Sequence, residues 1–127
     1  MAVEMTFTIF GRVGAEPQLG GSVTESGDNA QIVEETVGAG AQDYDLNVLP
    51  FNKNYLKGLL LIASGALTVK FIGTTTTTIT LAADQPYVWY ASSGQANPLA
   101  ADVTNAKATN NGTSSVTLKM RILTNET

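Results

Sequence analysis

The chain contains no cysteine and no histidine, and these two absences remove most familiar side-chain chemistry. Without a thiol there is no disulfide framework, no thiolate nucleophile and no cysteine-ligated zinc. Without an imidazole, the usual general base and the commonest transition-metal ligand are both missing. Stability must come from packing, hydrogen bonds or association. Charge is scarce as well: only 14% of the 127 residues are charged and 7% are aromatic, with a single tryptophan. The seven bases stand singly at Arg12, Lys53, Lys57, Lys70, Lys107, Lys119 and Arg121, against eleven acids, for a net charge of −4. Nothing there tracks a phosphate backbone, so nucleic acid is not an expected partner. Lys53 and Lys57, with Tyr55 between them, are the nearest approach to a basic patch and read as a solvated connection.

Long apolar runs are also absent. The longest, Gly58 to Leu67, is interrupted by Ser64 and Gly65, well below the roughly 18 to 20 residues that span a bilayer. No membrane role is expected. The first six residues, Met1 to Thr6, lack a basic segment followed by an apolar one, so no secretory signal is expected either. With little charge, the surface is left to Thr, Ser, Asn, Gln, Ala and Gly, a composition suited to being covered by a partner.

What is present is 43% hydrophobic residues in a chain long enough for one domain with a real core. The arrangement is period two, the mark of half-buried strands. Leu67, Val69 and Phe71 alternate with Thr68, Lys70 and Ile72; Tyr44, Leu46 and Val48 alternate with Asp43, Asp45 and Asn47; Val116, Leu118, Met120 and Ile122 alternate with Thr117, Lys119 and Arg121. A first strand is expected over about Val3 to Val13, then a loop region from Gly14 to Asn29 with at most a short strand near Val23. Ile32 to Val37 reads as an edge strand or an exposed hairpin arm, and Glu34 and Glu35 on an edge would deter stray pairing.

Leu59 to Ala63 is apolar on both parities, which suits a central strand or a subunit contact, with a short helical turn near Tyr55 as the competing reading. Thr74 to Thr78 form a run of five threonines. Flanked by Gly73 and by Ile79 and Leu81, they read as a hairpin turn entering a strand. Tyr87 to Ala91 is an aromatic strand, Val103 to Asn110 a weak one, and Asn111-Gly112 is the strongest two-residue hairpin signal. These elements predict about seven to nine strands in an all-β, antiparallel β-sandwich with jelly-roll-like topology. The organisation expected is a strand and loop-rich arm over residues 1–29 and a sandwich body over residues 30–127 of a single domain.

No catalytic, metal or cofactor site emerges. Asp43 and Asp45 share a strand face, yet calcium needs about six or more oxygen ligands and no loop supplies them. Carboxylate pairs can perform glycoside chemistry, but no motif places a pair here, and an enzyme is not expected. Asn111-Gly112-Thr113 and Asn125-Glu126-Thr127 match the glycosylation acceptor pattern; the first is better explained as turn chemistry. Tyr87, Trp89 and Tyr90 could stack on a sugar or anchor an interface.

One ordered set of features does point to a family: Leu59 to Ile62, Leu67-Thr68-Val69-Lys70, Ile79 to Pro86 leading into Val88-Trp89-Tyr90, Asn97-Pro98 before Asp102-Val103-Thr104, and Leu118 to Leu123. In these the stretch from Tyr55 to Leu123 resembles the jelly-roll decoration, or cement, proteins of tailed-bacteriophage capsids. The resemblance implies a non-enzymatic virion structural protein, made in the host cytoplasm and seated on the capsid exterior. Its partner would be the major capsid protein, and it would be a homo-oligomer, with a trimer favoured. No cofactor, metal, nucleic acid, membrane or small-molecule substrate is implied. Phe7, Ile9, Leu59, Leu61, Tyr87, Trp89 and Tyr90 are the candidate interface residues. The alternative is a glycan-binding or receptor-binding β-sandwich module of a phage tail or head fibre, using Tyr87, Trp89 and Tyr90.

Overall fold

Alternation along the chain becomes two packed layers. The computed structural model describes residues 2–11, 14–15 and 19–126. Ten strands occur among them: β1 (Val3–Gly11), β2 (Leu19–Gly27), β3 (Asn29–Val37), β4 (Tyr44–Asp45), β5 (Leu56–Ala63), β6 (Leu67–Ile72), β7 (Thr76–Leu81), β8 (Tyr87–Tyr90), β9 (Asn105–Thr109) and β10 (Val116–Thr124). No α-helix forms among the described residues. All strand pairs are antiparallel. They make a four-stranded sheet in the order β3-β10-β5-β8, a second in the order β4-β9-β6-β7, and a two-stranded sheet, β1-β2.

Inward-pointing residues of the two larger sheets form one core. Leu59, Leu61, Leu118, Met120 and Ile122 from one sheet meet Val69, Phe71, Ala106 and Ala108 from the other, all of them buried. Register explains how a strand rich in apolar residues on both parities, β5, fits. Leu59, Leu61 and Ala63 point inward and are sealed, whereas Leu60 and Ile62 are half-buried on the outer face. The strand is interior, flanked by β10 and β8. The turn near Tyr55 is real too: Lys53–Tyr55 form one turn of 3-10 helix, capped by Asn52, whose side chain accepts from the Asn54 N–H at 2.8 Å.

Four sequence expectations are corrected. The segment from Gly14 to Asn29 is not mainly loop: β2 is nine residues long and pairs with β1 in unbroken register from Val3↔Gly27 to Gly11↔Leu19. Glycine and serine give β2 little intrinsic strand preference, so it is the pairing that extends it. The last two residues of the first expected strand, Arg12 and Val13, lie outside the described residues. With β2 counted, the total exceeds the range of seven to nine.

The expected strand from Tyr44 to Val48 shrinks to two residues. Asp43 and Asn47 both hold left-handed backbone, at φ 50° and 58°, which no strand continues through. Leu46 and Val48 remain buried as expected, while Tyr44 turns outward and its hydroxyl donates to Glu35 at 3.2 Å. Finally, Asn111-Gly112 does not close a hairpin, because β9 and β10 belong to different sheets. Within the two large sheets, β6–β7 is the one hairpin between consecutive strands, and its turn carries the start of the threonine run.

The crossing from β9 to β10 is held by Asn110, which is fully buried. Its amide donates to the carbonyls of Val37 at 3.1 Å and Ser114 at 2.9 Å, and its oxygen accepts from the Gly112 N–H at 2.9 Å. The buried Val37 carbonyl and the partly buried Gly112 amide lose their partners if this side chain is removed. Asn110→Ala is therefore expected to cost about 2 to 3 kcal/mol, at the upper end for a lost buried hydrogen-bonding group, measured as a lower urea midpoint with unchanged slope.

Candidate interaction surface

The β1-β2 hairpin is the part of the molecule whose position needs explaining. Its strands alternate in concert. Thr6 and Thr24 lie opposite each other with hydroxyls 3.0 Å apart, and Thr8 and Ser22 with hydroxyls 3.1 Å apart, making one polar face. Met5, Phe7, Ile9 and Val23 take the other parity. A two-stranded hairpin is marginal in water unless one face is packed, and this one packs its apolar side on the outer face of β3-β10-β5-β8.

A glycine makes the docking possible. A Cβ added at Gly58 on β5 would lie 2.7 Å from the Met5 sulfur and 3.2 Å from the Phe7 ring, so glycine lets both side chains settle this close to the sheet without shifting. Phe7 is 6% exposed and stacks on Tyr90, ring centroids 5.2 Å apart and planes 30° apart. Glu25 on β2 accepts from both the N–H and the hydroxyl of Ser92, in the 3-10 turn that follows β8. At the base, Gly27 lies against the Thr124 carbonyl, which also accepts from the Asp28 N–H at 3.0 Å.

Past Phe7 the cover ends. Ile9 is 53% exposed, two residues farther toward the tip on the same face. Between the underside of the hairpin and Tyr90 lies a shallow groove of about 430 Å³ lined by Phe7, Ile9, Gly20, Gly21, Ser22 and Val23. A smaller hollow of about 310 Å³ sits beside Ile62, Asp84 and Lys119.

The candidate interface residues thus separate into two groups. Phe7, Ile9 and Tyr90 meet at the hairpin and its groove. Leu59 and Leu61 are fully enclosed in the core and present no surface to a partner. Trp89 is sealed between the sheets, with its indole N–H donating to the Gln95 carbonyl at 3.1 Å, and Tyr87 packs against the same core. Parity decides this outcome: Tyr87 and Trp89 face inward, and Tyr90 faces outward. The three rings do not form one platform for a sugar.

The remaining polar features are structural. Asp43 pairs with Lys70 at 3.3 Å, and Asp45 accepts from the Asn47 N–H at 2.9 Å. Among the described residues no three metal-ligating side chains come together. Lys53 is tied to the loop before β9, its ammonium donating to the Ala100 carbonyl at 3.2 Å and its N–H to Asp102 at 3.1 Å. Thr77, from the threonine run, accepts from the Ala100 N–H at 2.8 Å. Sequence reasoning missed Gly58, Glu25 and Ser92. The polar and apolar alternation of Ser22, Val23, Thr24 and Glu25 opposite β1 was the signal available for the hairpin. Comparison with protein-family models, with curated proteins and with solved structures gives no match.

Two outcomes follow. Phe7→Ala should free the hairpin while the sandwich stays intact: amides of Val3–Gly11 should exchange roughly 30- to 100-fold faster, about 2 to 3 kcal/mol of local opening, with those of β5 and β10 unchanged. Burial raises the Tyr87 phenol above its ordinary 10.0. Its contribution is present below the unfolded value and lost as pH rises through the folded one. Urea titrations between about pH 9 and pH 11 should show stability falling, less steeply in Tyr87→Phe.

Proposed function

We propose that this protein is a non-enzymatic virion structural protein, a decoration or cement protein that binds the assembled lattice of a major capsid protein from outside. The observation that carries the reading is the amphipathic hairpin. It is anchored outside the sandwich by Phe7, Gly58 and Glu25, and its apolar underside runs on uncovered past Phe7 to Ile9. A segment so built is an arm that reaches a neighbouring molecule.

Strand order supports the jelly-roll part of the reading. Orders β3-β10-β5-β8 and β4-β9-β6-β7 place successive strands in opposite sheets except at β6–β7, as expected when two Greek keys are rolled into a sandwich. The surface supports the partner: with 14% charged residues, broad contact desolvates few ions and costs little. A protein that binds only the assembled shell stabilises the shell by mass action, and no reaction is required of it. The division of Tyr87 and Trp89 from Tyr90 leaves the glycan-binding alternative without a ring platform.

Co-sedimentation with undecorated phage shells tests the proposal. The expected outcome is saturable binding that raises the shell's melting temperature, with Ile9→Asp weakening it by at least about tenfold, or 1.4 kcal/mol, while the free protein keeps its β-sheet circular dichroism. Wild-type protein left in the supernatant at saturating concentration would overturn it.

A further inference from the structure

We propose that the first partner of the β1-β2 arm is a second copy of this chain, joined by antiparallel pairing of β1 with β1 about a two-fold axis. The pairing deepens the capsid reading by naming what the arm holds, and rests on that reading for its purpose but not for its test. Three observations on the strand edges carry it.

The first is that β1 is an open edge. Over the nine residues Val3–Gly11 it pairs with β2 alone, without a bulge. Among the described residues, no backbone group of β1 bonds anything outside that pair. Such an edge is a template for another strand unless lysine, proline, a bulge or a covering segment blunts it. In β1 there is no lysine or proline, and Glu4 is the lone charge.

The second is that the other edges are defended or short. β3 carries Glu34 and Glu35, held by Arg121 at 2.8 Å and by the Tyr44 hydroxyl. β4 has two residues, and β8 has four and follows Pro86. β7 is met by the loop through Ala100. β2 holds Gly20 and Gly21, which weaken it as a pairing strand.

The third is self-complementarity. A strand that alternates Met5, Phe7 and Ile9 with Thr6 and Thr8 can lie antiparallel to its own copy with both faces matched. A register centred on Phe7 sets Met5 opposite Ile9 of the partner subunit, and Thr6 opposite Thr8 of the partner subunit. The apolar undersides then continue from one hairpin into the next, and Ile9, exposed in one chain, gains cover. A one-residue slip would set threonine against the apolar side, so only registers that keep this parity match both faces. The contact is isologous and closes at two copies, unlike the threefold arrangement that the family resemblance implies.

Light scattering on the purified chain, from low to high micromolar, should give twice the chain mass. Thr6→Lys/Thr8→Lys, placed on the polar face where it leaves the docking to Gly58 untouched, should give the chain mass, with a melting temperature that no longer rises with protein concentration as the wild type's does. Ile32→Lys, on β3, should remain a dimer. Independently, amides of β1 in the wild type should gain protection from exchange as concentration rises. A wild-type monomer or trimer, a dimer that survives both lysines, or β1 amides indifferent to concentration would each overturn the pairing. A dimer that ignores shells defeats the capsid reading alone, and a monomer that decorates them defeats the pairing alone.

Discussion

Two sheets that lack a disulfide and a helix between them are held by the side chains they enclose, and here that layer is continuous from Val37 to Ile122. β10 is its centre. It is nine residues long and paired on both sides, with β3 and with β5, and its inward residues Val116, Leu118, Met120 and Ile122 are all buried. Because the side-chain period of a strand is two, its register also decides what faces outward: Thr117, Lys119, Arg121 and Leu123. The core thus determines the sheet's outer face, and the outer face determines where the hairpin can lie.

Leu123 and Gly58 show how that second layer is built. They are register partners on β10 and β5, next to Tyr90 on β8, and Gly58, having no side chain, leaves a gap between Leu123 and Tyr90 on the sheet's outer face. Phe7 fills it. The apolar face of the hairpin packs there, and one aromatic ring over a glycine, one carboxylate on Ser92 and one close backbone approach at Gly27 orient it.

Scarcity of charge then takes on a physical meaning. The ion pairs Lys70–Asp43 and Arg121–Glu34 are both partly exposed, a kind that contributes little to stability. Hydroxyl and amide groups do most of the polar work, as at Asn110, Thr77 and the threonine pairs of the hairpin. Such groups exchange water for protein at smaller cost than ions do.

Much of the fold was legible in the residues because period two needs no tertiary information. The alternations at Leu67–Ile72 and Val116–Thr124 are strands, Glu34 and Glu35 do mark an edge, and the threonine run does turn into β7. Sequence also placed Phe7, Ile9 and Tyr90 among the candidates. It could not separate them from Leu59, Leu61 and Trp89, since an apolar residue on a strand reads alike whether its face meets another sheet or an arm. Nor could it see that Gly20 to Gly27 becomes strand, because pairing with β1 overrides weak local preference, or that Asn111-Gly112 leads from one sheet to the other. The sequence by itself determined the all-β class and the two faces of each strand. Only the tertiary structure decided which face is core and where the hairpin docks, because both depend on pairing between residues far apart in the chain.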